Sequence, residues 1–331
     1  VLTFFSPSGY EMRVNYQHAD NIYYLPLDTR KNAERFINAV NPRLAIFVKY
    51  DFWFNYLNIL SARKIPFIFI SSVFHSRHFL FRWWAIKLRR ILQNAEVIFV
   101  QDQKSEVLLS KYQFNTLIAG DNRIDRVIQL QSELKEYVFL NGPKIKNKIM
   151  IFGSIWPNDV SIFAPWLNQS TNPYFIILAP HDISQGMRKK ITSHIGKEYK
   201  LLSECHDQTQ PEDGIMVDTI GDLAHLYQYG HIAYIGGGFG KGIHSILEPV
   251  AAGLPVIFGP NYHRFQEAKE LIHLGAAISI KSSHEFKEAM EFFSNEDHYR
   301  AAKQGIASFL SHHQGATLKV VQYLANRKYI S

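Results

Sequence analysis

The chain has 331 residues, 47% hydrophobic and 20% charged, a length comfortable for two cores and a balance that excludes an intrinsically disordered polypeptide. A formal net charge of +7 points to an anionic partner: nucleotide, phosphorylated glycan, phospholipid surface or nucleic acid. The single cysteine, Cys205, excludes an intrachain disulfide framework and favours a reducing compartment, and no run is long and apolar enough to span a bilayer.

Residues 1–5 read as an apolar strand met in its middle, with neither Met nor cap before it, so the expectation is that an N-terminal segment precedes Val1. Strand-like runs follow at 44–48, 66–70 and 97–100, alternating with helical stretches such as 32–40 and 105–111. Residues 79–92 mix Phe79, Phe81, Trp83 and Trp84 with Arg82, Lys87, Arg89 and Arg90. That composition predicts a helix, either lying in an anionic membrane surface or packed on the sheet with a solvated basic face. No nucleic-acid-binding motif accompanies it. Residues 133–148 are turn-rich and basic and read as a linker, which gives an N-terminal domain over 1–140. The alternation restarts at 149–153, 174–179, 215–218, 231–236, 255–259 and 277–280, which gives a second domain over 141–315. Residues 316–331 form a C-terminal helix expected to pack back on the first domain. Strands alternating with helices imply two doubly wound parallel sheets. Two such Rossmann-like domains facing one another, with ligands at the carboxyl ends of the strands, describe the α/β GT-B architecture.

The most informative stretch runs from His231 to Pro260. An apolar strand enters a turn holding Gly236, Gly237, Gly238, Gly240 and Gly242, and a helix is expected to begin near Ile246 with Pro249 in its first turn. Such glycines let backbone approach a ligand, free amides at a helix start suit a phosphate, and Lys241 adds a charge. The pattern is neither the Walker loop nor the dinucleotide fingerprint. With Glu248-Pro249, Ala251, Gly253 and Gly259-Pro260 it resembles the nucleotide-sugar signature of GT-B transferases, in which the acid accepts hydrogen bonds from ribose hydroxyls. The other reading of Glu248 is a first-turn acid favouring the helix dipole.

The resemblance extends along the chain. Gly153-Ser-Ile-Trp-Pro157, Ala179-Pro-His181 and Phe258-Gly-Pro-Asn-Tyr-His-Arg-Phe-Gln-Glu267 in the second half are similar to motifs of the transferases of 3-deoxy-D-manno-octulosonic acid (Kdo). So are Phe4-Phe-Ser-Pro-Ser-Gly-Tyr-Glu11, Tyr24-Leu-Pro-Leu-Asp28, Val48-Lys-Tyr-Asp-Phe-Trp-Phe-Asn55 and Gly120-Asp-Asn-Arg-Ile-Asp125 in the first. Departures are Ser245 after the loop histidine, the missing arginine between Pro180 and His181, the lack of an arginine in 72–74, and Lys49 where relatives carry an acid.

The resemblance implies an inverting, metal-independent enzyme that moves Kdo from CMP-Kdo to the lipid A precursor lipid IVA in lipopolysaccharide synthesis. No further cofactor is implied. The implied donor-binding residues are Ser154, Trp156, Pro180, His181, Gly237, Gly238, Gly240, Lys241, Gly242, His244, Ser245 and Glu248. The acceptor candidates are Ser6, Lys49, Asp51 and Arg123. The family's glutamate base is expected before Val1, so no catalytic residue is named; Glu11 and Asp51 are the first-domain acids near ligand-facing loops, and Arg123 with Asp125 suits an internal ion pair equally well. The fifteen histidines are scattered without metal-ligand spacing. The implied setting is the cytoplasmic face of a Gram-negative inner membrane, peripheral or anchored through the preceding segment, with the anionic surface as partner and no nucleic acid. Two alternatives stand: a GT-B enzyme using a UDP-sugar, or a donor-binding module without turnover.

Overall fold

The structure is a computed structural model that describes residues 1–141, 148–169, 173–209 and 211–330. They form two compact units, Val1–Asn122 with Gly315–Ser331, and Arg123–Gln314.

The first unit carries β1 (Leu2–Phe4), β2 (Ile22–Tyr24), β3 (Ala45–Val48), β4 (Phe67–Ser72), β5 (Val97–Val100) and β6 (Thr116–Ile118). All pairings are parallel, but the strands form two sheets rather than the single one expected: a pair β1-β2, and β3-β4-β5-β6. A cavity of about 340 Å³ is lined by Val1, by Thr3 of β1 and by Ala45, Ile46 and Phe47 of β3. Beside it, Ile46 and Val48 stay half exposed on the edge strand. Period-two alternation sends Phe67, Phe69 and Ile98 to one core with Leu57 and Leu80, and sends Ile68, Val97 and Phe99 to the opposite face. That face is covered by the helix Ala316–Asn326 through Ala316, Val320 and Leu324. Tyr323 stands edge-on to Phe99 at 5.3 Å, and its hydroxyl donates to Glu96 at 3.2 Å.

The second unit carries β7 (Lys148–Ile155), β8 (Tyr174–Pro180), β9 (Lys200–Leu201), β10 (Gly214–Met216), β11 (Ile232–Ile235), β12 (Val256–Phe258) and β13 (Ala277–Ser279). They form one parallel sheet in the order β13-β12-β11-β7-β8-β10-β9. Ile149 and Ile151 face one core with Ile177, Ala233 and Val250; Met150 and Phe152 face the other with Phe163, Tyr234 and Phe286. Both faces are covered by helices, so the central strands are apolar throughout, as a buried parallel sheet requires. The chain order reverses at β7/β11, which makes their carboxyl ends the topological switch point, where ligands bind in such sheets.

The units part at Asn122/Arg123, upstream of the linker read from composition. Helix Asn122–Leu130 explains the difference: its buried Ile124 and Val127 join the second unit's core, as do Tyr137, Phe139 and Leu140 after it. Apolar burial, not turn content, decides which unit a connecting segment joins. Residues 142–147 of that linker lie outside the described residues.

The segment expected as one basic, aromatic helix is instead two 3₁₀ turns, Phe79–Phe81 and Trp83–Ala85, followed by the helix Ile86–Leu92. Leu80, Ala85, Ile91 and Leu92 are buried, a spacing no single helix face provides. Arg89 turns inward: its guanidinium donates to the carbonyls of Leu80 and Arg82, both at 2.7 Å, and lies over Tyr112. Trp83 is 85% exposed, and Phe79, Arg82, Trp84, Ile86, Lys87 and Arg90 are exposed around it.

Candidate functional site

The carboxyl ends of β7, β8 and β11 deliver the second-unit motifs to one place. A bulge between Gly153 and Ile155 breaks the register of β7 with β8 and leaves Ser154 in the left-handed region, φ 53°. That conformation is costly for a residue with a Cβ and clusters at functional sites. Gly153 is fixed by contact, because a Cβ there would sit 2.1 Å from the Tyr227 hydroxyl.

Helix Pro157–Leu167 starts at the end of β7, with Pro157 in its first turn, where no amide donor is missed. Asp159 on that turn is 1% exposed. Its carboxylate accepts from the Trp156 amide at 2.9 Å, the Gly237 amide at 3.0 Å and the Tyr234 hydroxyl at 2.9 Å. Burial pushes its pKa up, while these hydrogen bonds pull the other way by favouring the ionised form. Asp159 thus ties the end of β7 to the glycine turn.

That turn is self-contained. Gly240 and Gly242 donate to the Gly237 carbonyl at 2.9 and 3.2 Å, and the His244 amide donates to Gly236 at 3.1 Å. Gly237 has φ +88°, and a Cβ on Gly238 would meet the Gly259 backbone at 2.6 Å. Much of the loop's amide capacity is therefore spent on folding the loop, which corrects the picture of an open cradle of free amides. The helix after it, Leu247–Ala251, is only five residues long, so its dipole contributes little.

What the turn does offer is side chains. The rings of Trp156, His181 and His244 form a stack: Trp156 to His181 at 4.7 Å, and His181 to His244 at 4.2 Å with 17° between planes. The Trp156 indole N–H donates to His244 Nε2 at 3.0 Å. Burial, then the neighbouring His181, lowers the His244 pKa. This stack lines a cavity of about 580 Å³ together with Asn158, Asp159, Gly237, Gly240, Lys241 and Gly242. A second cavity, of about 220 Å³, is lined by Ser154, Ser245 and Glu248 with Gly221, Leu223, Ala224 and Tyr227. Burial and the Glu248 charge hold the Tyr227 phenol far above its ordinary pKa, so it stays a neutral hydroxyl.

The donor-side residues named from sequence thus fall into two cavities of one unit. Trp156, His181, Gly237, Gly240, Lys241, Gly242 and His244 line the larger; Ser154, Ser245 and Glu248 line the smaller. Gly238 and Pro180 line neither: Gly238 packs on Gly259, and Pro180 closes β8. The acceptor candidates are divided between the two units. Ser6 Oγ accepts from the Gly9 amide just beyond β1. Lys49 follows β3 with φ 55°, and burial raises the pKa of nearby Asp51. Arg123 belongs to the second unit and pairs with Glu267 at 3.2 Å. Burial also raises the Cys205 thiol, which removes the basis for a nucleophile there. Asp159 and Tyr227 were missed from sequence. An acid two residues after a helix-starting proline is a legible signal for Asp159; nothing marks Tyr227.

Comparison with known proteins gives this geometry a context. The structure is similar to that of UDP-GlcNAc 2-epimerase from Neisseria meningitidis, with a TM-score of 0.66 at 16% identity, covering 98% of this chain and 90% of that one. At that identity the likeness carries the fold alone: the fold class is GT-B. In sequence, residues 1–126 match the family described as 3-Deoxy-D-manno-octulosonic-acid transferase (kdotransferase). The chain is 26% identical over 291 residues to the 3-deoxy-D-manno-octulosonic acid transferase of Aquifex aeolicus (strain VF5), spanning 86% of this chain and 75% of that one. Identity to the corresponding Haemophilus influenzae protein is 25% over 358 residues, spanning 98% and 79%. The chain is thus similar in sequence to proteins named Kdo transferases over most of its length.

Proposed function

We propose that this chain transfers Kdo from CMP-Kdo to a sugar hydroxyl of the lipid A precursor lipid IVA, with inversion and without a metal. The observation that carries the reading is the pair of cavities at the β7/β11 switch point. The smaller offers Glu248, Ser154, Ser245 and a neutral Tyr227 hydroxyl. This set suits a ribose diol, whose hydroxyls donate to the carboxylate. The larger offers Lys241 and the histidine pair to two anions, the phosphate of CMP and the carboxylate of Kdo. In the transfer, the acceptor oxygen forms a bond to the anomeric carbon while the bond from that carbon to the phosphate oxygen breaks. The hydroxyl proton passes to a general base, and CMP leaves as the anion. Fixed positive potential from Lys241 and N–H groups from the histidines stabilise the charge that grows on the phosphate.

The same reading places the enzyme at the cytoplasmic face of the inner membrane. The exposed Trp83, Trp84 and Phe79, rimmed by Arg82, Lys87 and Arg90, support it as an interfacial surface for an anionic lipid. Binding to phosphatidylglycerol vesicles is expected to weaken with salt and on W83A/W84A replacement. Binding that ignores both would refute this role.

Thermal protection tests donor identity: CMP should raise the melting temperature more than UMP at equal concentration. The reverse order would favour a UDP-sugar enzyme.

A further inference from the structure

The indole N–H of Trp156 meets His244 Nε2 at 3.0 Å. An indole nitrogen donates and cannot accept, so Nε2 must present a lone pair, and the ring's one proton must lie on Nδ1. Protonating His244 would set a second N–H against the indole N–H. The rest of the surroundings agree. The His181 ring lies near-parallel at 4.2 Å, where a second cation is unwelcome, and Gly237 lies so near that a Cβ on it would be 3.1 Å from Nε2. The neighbouring elements also carry Lys241 on the glycine turn, Arg264, which donates to the Lys241 carbonyl, and the buried carboxylate of Asp159. Among the described residues, Nδ1 has no hydrogen-bond partner.

We infer that Trp156 is a positioning residue: its indole N–H holds His244 as the neutral imidazole protonated on Nδ1, so that His244 meets the donor's anionic oxygen as a hydrogen-bond donor and not as a cation. This inference rests on the reading of the larger cavity as the phosphate and Kdo subsite. Its consequence is selectivity of timing. A neutral donor binds an anionic oxygen without the desolvation that a buried cation brings, and its hydrogen bond strengthens as the phosphate gains charge in bond breaking. Lys241 then supplies the charge and His244 the direction.

Long-range ¹H–¹⁵N correlation of the histidine rings of the intact chain reads the tautomer directly. At about pH 7, His244 should show a protonated Nδ1 and a bare Nε2, and it should titrate below the ordinary value of about 6.5. Trp156→Phe keeps the ring for stacking and removes the N–H. It should move His244 toward the Nε2-protonated form and return its titration to near the ordinary value. CMP affinity, measured by calorimetry at about pH 8 and about pH 6, should then rise several-fold more on acidification in W156F than in the parent. A parent spectrum with Nε2 protonated, or with a charged ring at neutral pH, would overturn the inference whether or not W156F folds. An unchanged His244 titration in a folded W156F would do the same. Failure of CMP to bind while the Nδ1–H tautomer is present would sink the donor reading and leave the tautomer standing.

Discussion

Glu248 and Gly238 show how differently two residues of one motif act. Glu248 faces the smaller cavity, where on the proposed reading its carboxylate accepts from ribose hydroxyls and Glu248→Gln replaces one acceptor oxygen by an amide nitrogen. Losing one charge-assisted hydrogen bond should weaken CMP binding about tenfold, roughly 1.4 kcal/mol, by calorimetry; wild-type affinity in E248Q would remove Glu248 from the site. Gly238 lines neither of the two cavities, yet its added Cβ would strike the Gly259 backbone at 2.6 Å. Gly238→Ala should therefore displace the turn and cost CMP affinity at least as much, while E248Q leaves the turn in place. The glycine spacing and the histidines after β8 and β11 were legible in sequence because chemistry confines them to short motifs. For Asp159 the sequence marks only an acid in a helix's first turn; its tie to Gly237, 78 residues away, exists only in the fold. Reading the loop amides as free was wrong for a related reason: sequence shows where amides are, and only the fold shows that the turn itself consumes them.

Elements carry their own tests. His231 precedes β11, and its Nδ1 accepts from the Ile149 amide at the start of β7 at 3.0 Å, which requires an unprotonated nitrogen. Burial, then Lys148 and Lys303, lowers its pKa. A basic group so shifted binds fewer protons folded than unfolded. Its stabilising contribution is thus complete above about pH 6.5 and is lost as pH falls through the folded value. The melting temperature should fall between about pH 7 and about pH 5.5, and His231→Asn, which keeps an acceptor without a titration, should reduce that fall. An identical pH dependence in H231N would contradict the latch. In the first unit, Leu324→Ala removes a buried side chain between the C-terminal helix and the sheet. It should cost about 3 kcal/mol in denaturant unfolding, without altering CMP affinity in the other unit. Most strands were legible from apolar runs, and β2, β6 and β9 were not, since these strands at sheet edges carry no buried residue to mark them. The 79–92 stretch misled because aromatic and basic composition says nothing of the inward turn of Arg89, which the surrounding carbonyls impose.

At the scale of the whole molecule, alternating strands and helices announced two parallel-sheet units; the second is doubly wound, while the main sheet of the first keeps the unreversed order β3-β4-β5-β6. The point of division was not legible, because Ile124 and Val127 declare their allegiance only by packing. The proposed activity of a chain with this fold and this pair of cavities is to move Kdo from its cytidine nucleotide to a lipid-borne sugar. The most direct measurement incubates the protein with CMP-Kdo and lipid IVA in the presence of EDTA and follows the lipid by mass spectrometry. A Kdo-bearing lipid formed in step with free CMP is the predicted result. Turnover of a UDP-sugar with CMP-Kdo left intact, or transfer abolished by the chelator and restored by a divalent metal, would contradict it.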